Sequence, residues 1–134
     1  MWSGFPPHMS AEDRAIWLRW WPTVREKVQD VYYDVGLGMP DELPFEPDPV
    51  QLAGWIYSNQ KRADLVAYQT GEVWIVELRH NASANAIGRL QMYAQLWSED
   101  PVLPGALKLV LVSDREDSAL RFLAGRLGIE FVAA

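Results

Sequence analysis

The fold is decided by one stretch of the sequence, which reads KRADLVAYQTGEVWIVELR from Lys61 to Arg79. Two runs rich in β-forming residues, Lys61 to Tyr68 and Val73 to Arg79, flank a short turn that contains Gly71. This pattern predicts a β-hairpin. The second run is apolar on both faces, so we expect it to be a central, buried strand.

The segments on either side of this hairpin show helical and extended patterns in turn. The sequence Ser10-Ala11-Glu12-Asp13 is a capping box and predicts the start of a helix, which Pro22 then kinks or ends. Gly128 predicts the end of the last helix. In chain order we predict that first helix, a strand over residues 28–36, a helix over 50–58, the hairpin, a helix over 84–98, a strand over 107–112, a helix over 116–127 and a strand over 129–132.

The order of these elements predicts the fold class. The last four alternate between helix and strand, which favours parallel strands joined by a helix, whereas the hairpin adds antiparallel strands. We therefore predict an α/β fold with a mixed four- to five-stranded sheet flanked by helices. A chain of 134 residues, 49% apolar and 22% charged, is typical of one globular domain. We assign residues 10–134 to this domain and residues 1–9, with two prolines and a glycine, to a flexible arm.

What the sequence lacks excludes several classes of protein. There is no cysteine, so disulfides, thiolate metal sites and a cysteine nucleophile are excluded. No apolar run approaches the ~18–20 residues that span a bilayer, and the first residues lack the basic head and apolar core of a secretion signal. We therefore expect no membrane partner, no secretion by a signal peptide, and a location in the cytoplasm or in a phage particle. The prolines of residues 37–49 predict a loop, whose acidic part over 41–48 is solvated.

Two carboxylates in the hairpin suggest a chemical site. Glu77 lies within an otherwise apolar run, where a charge must be paired, bound to a metal or solvated in a cleft. Asp64 occupies a near mirror position about the turn. Two close carboxylates repel each other, and a divalent cation such as Mg²⁺ or Mn²⁺ is one means of holding them together. The alternative is that Glu77 and Arg79 form an ion pair, or that they pair across the strands with Arg62 or Asp64.

These residues resemble the motif of a known family. The pattern of Asp64, twelve residues and then Glu77-Leu78-Arg79 resembles the motif of the PD-(D/E)xK nuclease superfamily, and the αβββαβ order over residues 11–113 matches its topology. The segment Gly88-Arg89-Leu90-Gln91-Met92-Tyr93 resembles the Gln-x-x-x-Tyr helix of exonuclease-like and Holliday-junction-resolvase-like members. The chain is most similar to small bacteriophage members of this superfamily, also in residues 109–114 and 127–130.

The resemblance implies a restriction-endonuclease-like core with a metal site. Asp64 and Glu77 would be ligands of Mg²⁺ or Mn²⁺, with the carbonyl of Leu78 as a third. The acidic residue that such members carry on their first helix would be Glu12 or Glu26, between which the spacing does not decide.

The same resemblance implies metal-dependent cleavage of phosphodiester bonds in DNA. Arg79, on the same strand face as Glu77, would stabilise charge on the scissile phosphate, because arginine stays protonated and cannot act as a base. Gln91 would orient the substrate or support the site, and Tyr93 would join it unless it packs in the core as its place on the apolar stripe predicts.

Three departures from the family pattern favour a second function. Arg79 replaces the motif lysine and keeps its charge but no role that requires deprotonation. Arg62-Ala63 stand where a proline would precede Asp64. The net charge of −6 is unusual for a protein that binds phosphates. These features favour an inactive nuclease fold that serves as a structural or adaptor protein in a phage particle or a DNA-processing complex.

The tryptophans of the first helix have two interpretations. Trp17, Trp20 and Trp21 would either pack the helix on the sheet or anchor a protein partner or a second copy of the chain. For His80, with no second histidine nearby in the sequence, the simplest prediction is a histidine in a loop.

Overall fold

The structure is a computed structural model that describes residues 9–38, 46 and 48–134. Within the last range, residues 55–59 are described only as part of a helix. The predicted arm lies outside the described residues except for Met9, which packs against the core. Most of the predicted acidic loop over 41–48 lies outside them as well. Every predicted helix and strand is present, with bounds that differ by a few residues. Within the described residues, no helix has the length and hydropathy needed to cross a membrane.

The chain forms helices and strands in the predicted alternation. We predict that Pro22 kinks or ends helix α1. The helix continues for two residues past Pro22, to Val24, and a 3₁₀ turn follows over Arg25–Lys27. The elements are α1 (Ala11–Val24), β1 (Asp30–Leu37), α2 (Pro49–Asn59), β2 (Lys61–Gln69), β3 (Glu72–Arg79), α3 (Ala84–Glu99), β4 (Ala106–Ser113), α4 (Ser118–Arg126) and β5 (Ile129–Ala133).

The strands form one mixed sheet with the order β1-β2-β3-β4-β5. Strand β2 is antiparallel to both β1 and β3, whereas β3, β4 and β5 are parallel. The predicted α/β fold with a mixed sheet is therefore confirmed. Strand β3 is the central strand and is buried along Val73 to Leu78, as its continuous apolar run predicts.

Helices cover the two faces of the sheet. The side chains of β3 alternate, so that Trp74, Val76 and Leu78 face α1 while Val73 and Ile75 face α3. Helix α4 packs on the same face as α3, against β5. Glu77 follows the alternation of Val73 and Ile75, which directs its carboxylate beneath α3.

The tryptophans of α1 belong to the core of this chain. Trp17 and Trp20 are 0% and 4% exposed, and Trp21 is half-buried with its ring centroid 5.0 Å from that of Trp17. Burial leaves Trp17 and Trp20 no surface to offer, so the expectation that they anchor a partner is corrected. A helix that packs on a sheet through large aromatic side chains is the simpler explanation for the tryptophan content.

The hairpin of β2 and β3 changes its pairing near its open end. The two strands pair regularly from Gln69 and Glu72 to Leu65 and Val76. Beyond this point, the N–H of Leu78 donates to Asp64 Oδ2 over 2.9 Å. On the neighbouring strand, Asp34 has a φ of +53°. An aspartate side chain thus replaces backbone as the acceptor at the site where the predicted carboxylates meet.

Candidate functional site

The predicted site residues converge at the open end of the hairpin. The guanidinium of Arg79 lies between the two carboxylates, with Nη1 2.9 Å from Asp64 Oδ2 and Nη2 2.5 Å from Glu77 Oε2. Nη1 also donates to the carbonyl oxygen of Leu78 over 2.9 Å. The structure therefore brings together Asp64, Glu77, Leu78 and Arg79, and it contains the ion pairs that the alternative interpretation predicts.

Glu77 is in an unusual environment for a carboxylate. Its side chain is 0% exposed, and within the described part of the chain neither oxygen accepts a hydrogen bond of ordinary geometry. Arg89 Nε lies 3.5 Å from Oε2. Burial, followed by repulsion from Asp64, raises the pKa of Glu77 to about 7, and the two arginines oppose this rise only in part. Near pH 7, both the protonated and the charged form of Glu77 are therefore populated.

The other two charged groups of the cluster respond to the same environment. Burial raises the pKa of Asp64, against the opposing effects of Arg79 and the Leu78 N–H. Burial lowers the pKa of Arg79, but the carboxylates of Glu77, Asp64 and Asp13 outweigh it, so the net direction is upward. The guanidinium is therefore a permanent cation in the cluster.

An acidic residue of α1 reaches the cluster, but it is Asp13 rather than Glu12 or Glu26. Asp13 Oδ1 accepts a hydrogen bond from the His80 N–H over 3.0 Å, and Oδ2 lies 3.8 Å from Arg79 Nη1. Glu12 is exposed, and Glu26 lies in the 3₁₀ turn at the opposite end of α1. The cap of α1, in which the Asp13 N–H donates to Ser10 Oγ over 3.0 Å, holds Asp13 in the first turn of the helix.

On α3, the structure brings Arg89 and Tyr93 to the cluster but not Gln91. Arg89 Nη2 donates to the Tyr93 hydroxyl over 2.8 Å, and this hydroxyl donates to the Arg62 carbonyl over 2.9 Å. Gln91 is exposed and lies about 200° around the helix from Arg89, at ~100° per residue. The Gln-x-x-x-Tyr spacing, counted back from Tyr93, falls on Arg89, which is the signal that the choice of Gln91 overlooked. Burial and then Glu77 raise the pKa of Tyr93 to about 12.

Next to the cluster is an open cleft of about 330 Å³ at the start of α3. It is lined by Arg79, His80, Asn81, Ala82, Ser83, Asn85, Ala86 and Arg89. Its loop is held by Asp114, whose Oδ1 accepts the Asn81 N–H over 2.9 Å and whose Oδ2 contacts His80 Nδ1. The hydrogen bond to Asp114 raises the pKa of His80, which is 53% exposed at the side chain. His80 is thus a loop histidine, as predicted.

The oxygen donors suit a hard divalent cation in their chemistry. Asp64, Glu77 and the Leu78 carbonyl are the oxygen types that Mg²⁺ and Mn²⁺ prefer, and Mg²⁺ commonly uses only one or two carboxylates. Within the described residues, Glu77 Oε1 has no hydrogen-bond partner, whereas Oε2 contacts the Arg79 guanidinium. Among the described residues, no group of three or more His, Cys, Asp or Glu side chains forms a metal-binding cluster. The donor set therefore fits a site with two carboxylates and a carbonyl, all of which now contact Arg79.

Comparisons with known proteins bear on the fold. No protein-family model and no curated protein matches the sequence. A solved structure described as a protein of unknown function, AF1548, is similar with a TM-score of 0.54 and 12% sequence identity. The similarity covers 87% of this chain and 56% of that one, so this chain spans little more than half the length of that protein. At this identity the likeness concerns the fold alone, and it supports the α/β architecture.

Proposed function

We propose that this protein cleaves phosphodiester bonds of DNA with Mg²⁺ or Mn²⁺ as the cofactor. The observation that supports this function is the pair of carboxylates on neighbouring strands, of which Glu77 is fully buried and, among the described residues, accepts no hydrogen bond of ordinary geometry, although its Oε2 contacts Arg79. Burial of an ionisable group lowers the stability of a protein unless the charge is paired. Groups with strongly shifted pKa values beside a cleft are common at catalytic sites. The strand order, with β2 antiparallel to its neighbours, supports a restriction-endonuclease-like core.

The cofactor would be held by Asp64, Glu77 and the Leu78 carbonyl. When bound, such an ion supplies charge stabilisation to a phosphoryl oxygen and activates water at neutral pH. Glu77 and Leu78 are held by the ladder with β4, and Asp64 is held beside them by the hydrogen bond from the Leu78 N–H. Glu77 needs to lose its proton to become a ligand, and its pKa of about 7 allows this at physiological pH.

The other residues of the cluster would bind and orient the DNA backbone. Arg79 and Arg89 line the cleft and present guanidinium groups to a phosphate, which arginine recognises through paired hydrogen bonds. Tyr93 holds Arg89 in position through its hydroxyl. Asp13 fixes the backbone of His80 at the cleft entrance. Because the net charge is −6, we expect the divalent cation and these two arginines to supply most of the local attraction for DNA.

The test is a cleavage assay on plasmid, linear duplex and single-stranded DNA, each with Mg²⁺, Mn²⁺ or a chelator. We expect cleavage that depends on the metal and falls at least ~100-fold in Asp64→Asn and Glu77→Gln, as is usual when a charge-stabilising group is removed. Glu116→Gln is the matched control, because this exposed carboxylate pairs with Arg121 away from the cluster. Cleavage that survives both substitutions, or none on any substrate, would contradict the proposal.

A second candidate is a non-catalytic adaptor or structural protein with the same fold. It is favoured by Arg79, whose guanidinium already balances the carboxylates, and by the acidity of the chain. A protein partner or a second copy would then bind exposed apolar side chains such as Phe122 and Leu127 on and just after α4, because Trp17 and Trp20 are buried. The cytoplasm suits the nuclease, and the phage particle suits the adaptor.

A further inference from the structure

We propose that Arg79 is an internal cation that occupies the place of the divalent ion and closes the site until it is displaced. This inference rests on the site of the proposed function and adds its regulation. It predicts that metal uptake in the free protein is opposed by a residue of the chain itself. Arg79, at the position of the motif lysine, would thus regulate metal binding and would not indicate a loss of function.

The contacts of the guanidinium support this role. Its nearest oxygens are those of Asp64, Leu78 and Glu77, at 2.9, 2.9 and 2.5 Å. These are the same three donors that the resemblance to the nuclease superfamily implies as metal ligands. The fourth oxygen in reach, Asp13 Oδ2 at 3.8 Å, adds a further negative charge. A single planar group therefore contacts all three donors at once, through two of its nitrogens.

A divalent ion and the guanidinium exclude each other. They would share the same oxygens and carry charge of the same sign, so binding of one requires the other to leave. Metal affinity in the wild type is then reduced by the fraction of molecules in which Arg79 occupies the site, which is the usual effect of a competing closed state. A variant without the guanidinium escapes this reduction.

Arg79 has a place to move to. Its side chain is 27% exposed and lines the open cleft of about 330 Å³. It is the last residue of β3, and its backbone pairs with Ser113 of β4. Rotation of the side chain therefore opens the site while the strand keeps its ladder.

The experiment is a calorimetric titration of Mn²⁺ at pH 8 into four full-length proteins: wild type, Arg79→Ala, Arg79→Gln and Arg115→Ala. Arg115 is the matched control, because it removes one positive charge from an exposed side chain paired with Asp117. We expect both Arg79 variants to bind Mn²⁺ at least ~10-fold more tightly than the wild type and Arg115→Ala. Adding Glu77→Gln to the Arg79→Gln variant should abolish the gain. Arg79→Gln keeps a polar side chain of similar length if Arg79→Ala fails to fold.

Thermal unfolding provides a second readout that does not depend on activity. Mn²⁺ should raise the melting temperature of Arg79→Gln clearly more than that of the wild type, since a ligand stabilises the state that it binds. Equal Mn²⁺ affinity in wild type and both variants would overturn the proposal, and so would the lack of binding in every variant that folds. The outcome is distinct from that of the proposed function: tight Mn²⁺ binding by Arg79→Gln, together with no metal-dependent DNA cleavage by the wild type, would uphold the internal cation and reject the nuclease.

Discussion

Replacing Glu77 by glutamine should change how the free energy of unfolding of the protein depends on pH. Glutamine keeps the size of the side chain but has no charge to bury. Glu77 lies in a strand that is apolar on both sides, and its oxygens accept no hydrogen bond of ordinary geometry from the described residues. This one substitution therefore measures how much the charged form of Glu77 destabilises the native state.

The magnitude follows from the pKa of Glu77, which rises from 4.5 to about 7 on folding, mainly through burial. Because the folded pKa is the higher one, the native state binds more protons between these values, and its stability falls as the pH rises through this range. At about 1.4 kcal/mol for each factor of ten, the full loss is about 3 kcal/mol. Between pH 5 and pH 8, the linkage relation gives about 2–3 kcal/mol.

The assay is urea unfolding of wild type and Glu77→Gln at pH 5 and pH 8, with a chelator present. The difference in free energy of unfolding between the two proteins should shift by about 2–3 kcal/mol in favour of the variant from pH 5 to pH 8. Glu72→Gln is the control, because the hydrogen bond from Trp74 lowers the pKa of Glu72 and keeps this group charged at both pH values. A difference for Glu77→Gln that does not change with pH would refute the reasoning.

Three further predictions test the fold around the site. Leu90→Ala should lower the free energy of unfolding by roughly 2–5 kcal/mol, because Leu90 is fully buried. Gln91→Ala, on the exposed side of the same helix, should change it by less than about 0.5 kcal/mol, and urea unfolding measures both values. Ser10→Ala should cost about 1 kcal/mol through the loss of the cap of α1, which thermal unfolding would detect. Gly105→Ala should be strongly destabilising, because Gly105 has a φ of +129° and a Cβ would lie 2.7 Å from the backbone of Gly71; an unchanged melting temperature would contradict this packing.

The hairpin and its carboxylate pair were predictable from the sequence because both follow from local rules. The alternation of side chains and the position of Gly71 fix which residues of β2 and β3 face each other. The apolar run of β3 likewise predicts its central place in the sheet. These rules do not involve the rest of the chain, so they apply before any tertiary contact is known.

The contribution of α1 to the site was not predictable in the same way. Asp13 reaches the cluster because α1 lies across β3 and β4 on buried tryptophans, which is a long-range arrangement. On α3, a shift of two residues moves a side chain to the opposite side of the helix, so the predicted Gln91 faces outward and Arg89 faces the cluster. The three-way contact of Arg79 depends on distances that a motif does not contain.

The bond between the Leu78 N–H and Asp64 Oδ2 makes one backbone amide a spectroscopic reporter. In most of a sheet, an amide proton is bonded to a carbonyl, whose electronic state hardly varies. Here its acceptor is a carboxylate that takes part in the ion-pair cluster, so protonation, substitution or ligation of Asp64 alters the shielding and the exchange rate of that proton. In a ¹⁵N-enriched sample, the Leu78 resonance of a nitrogen–proton correlation spectrum therefore records the state of the cluster without an attached probe group.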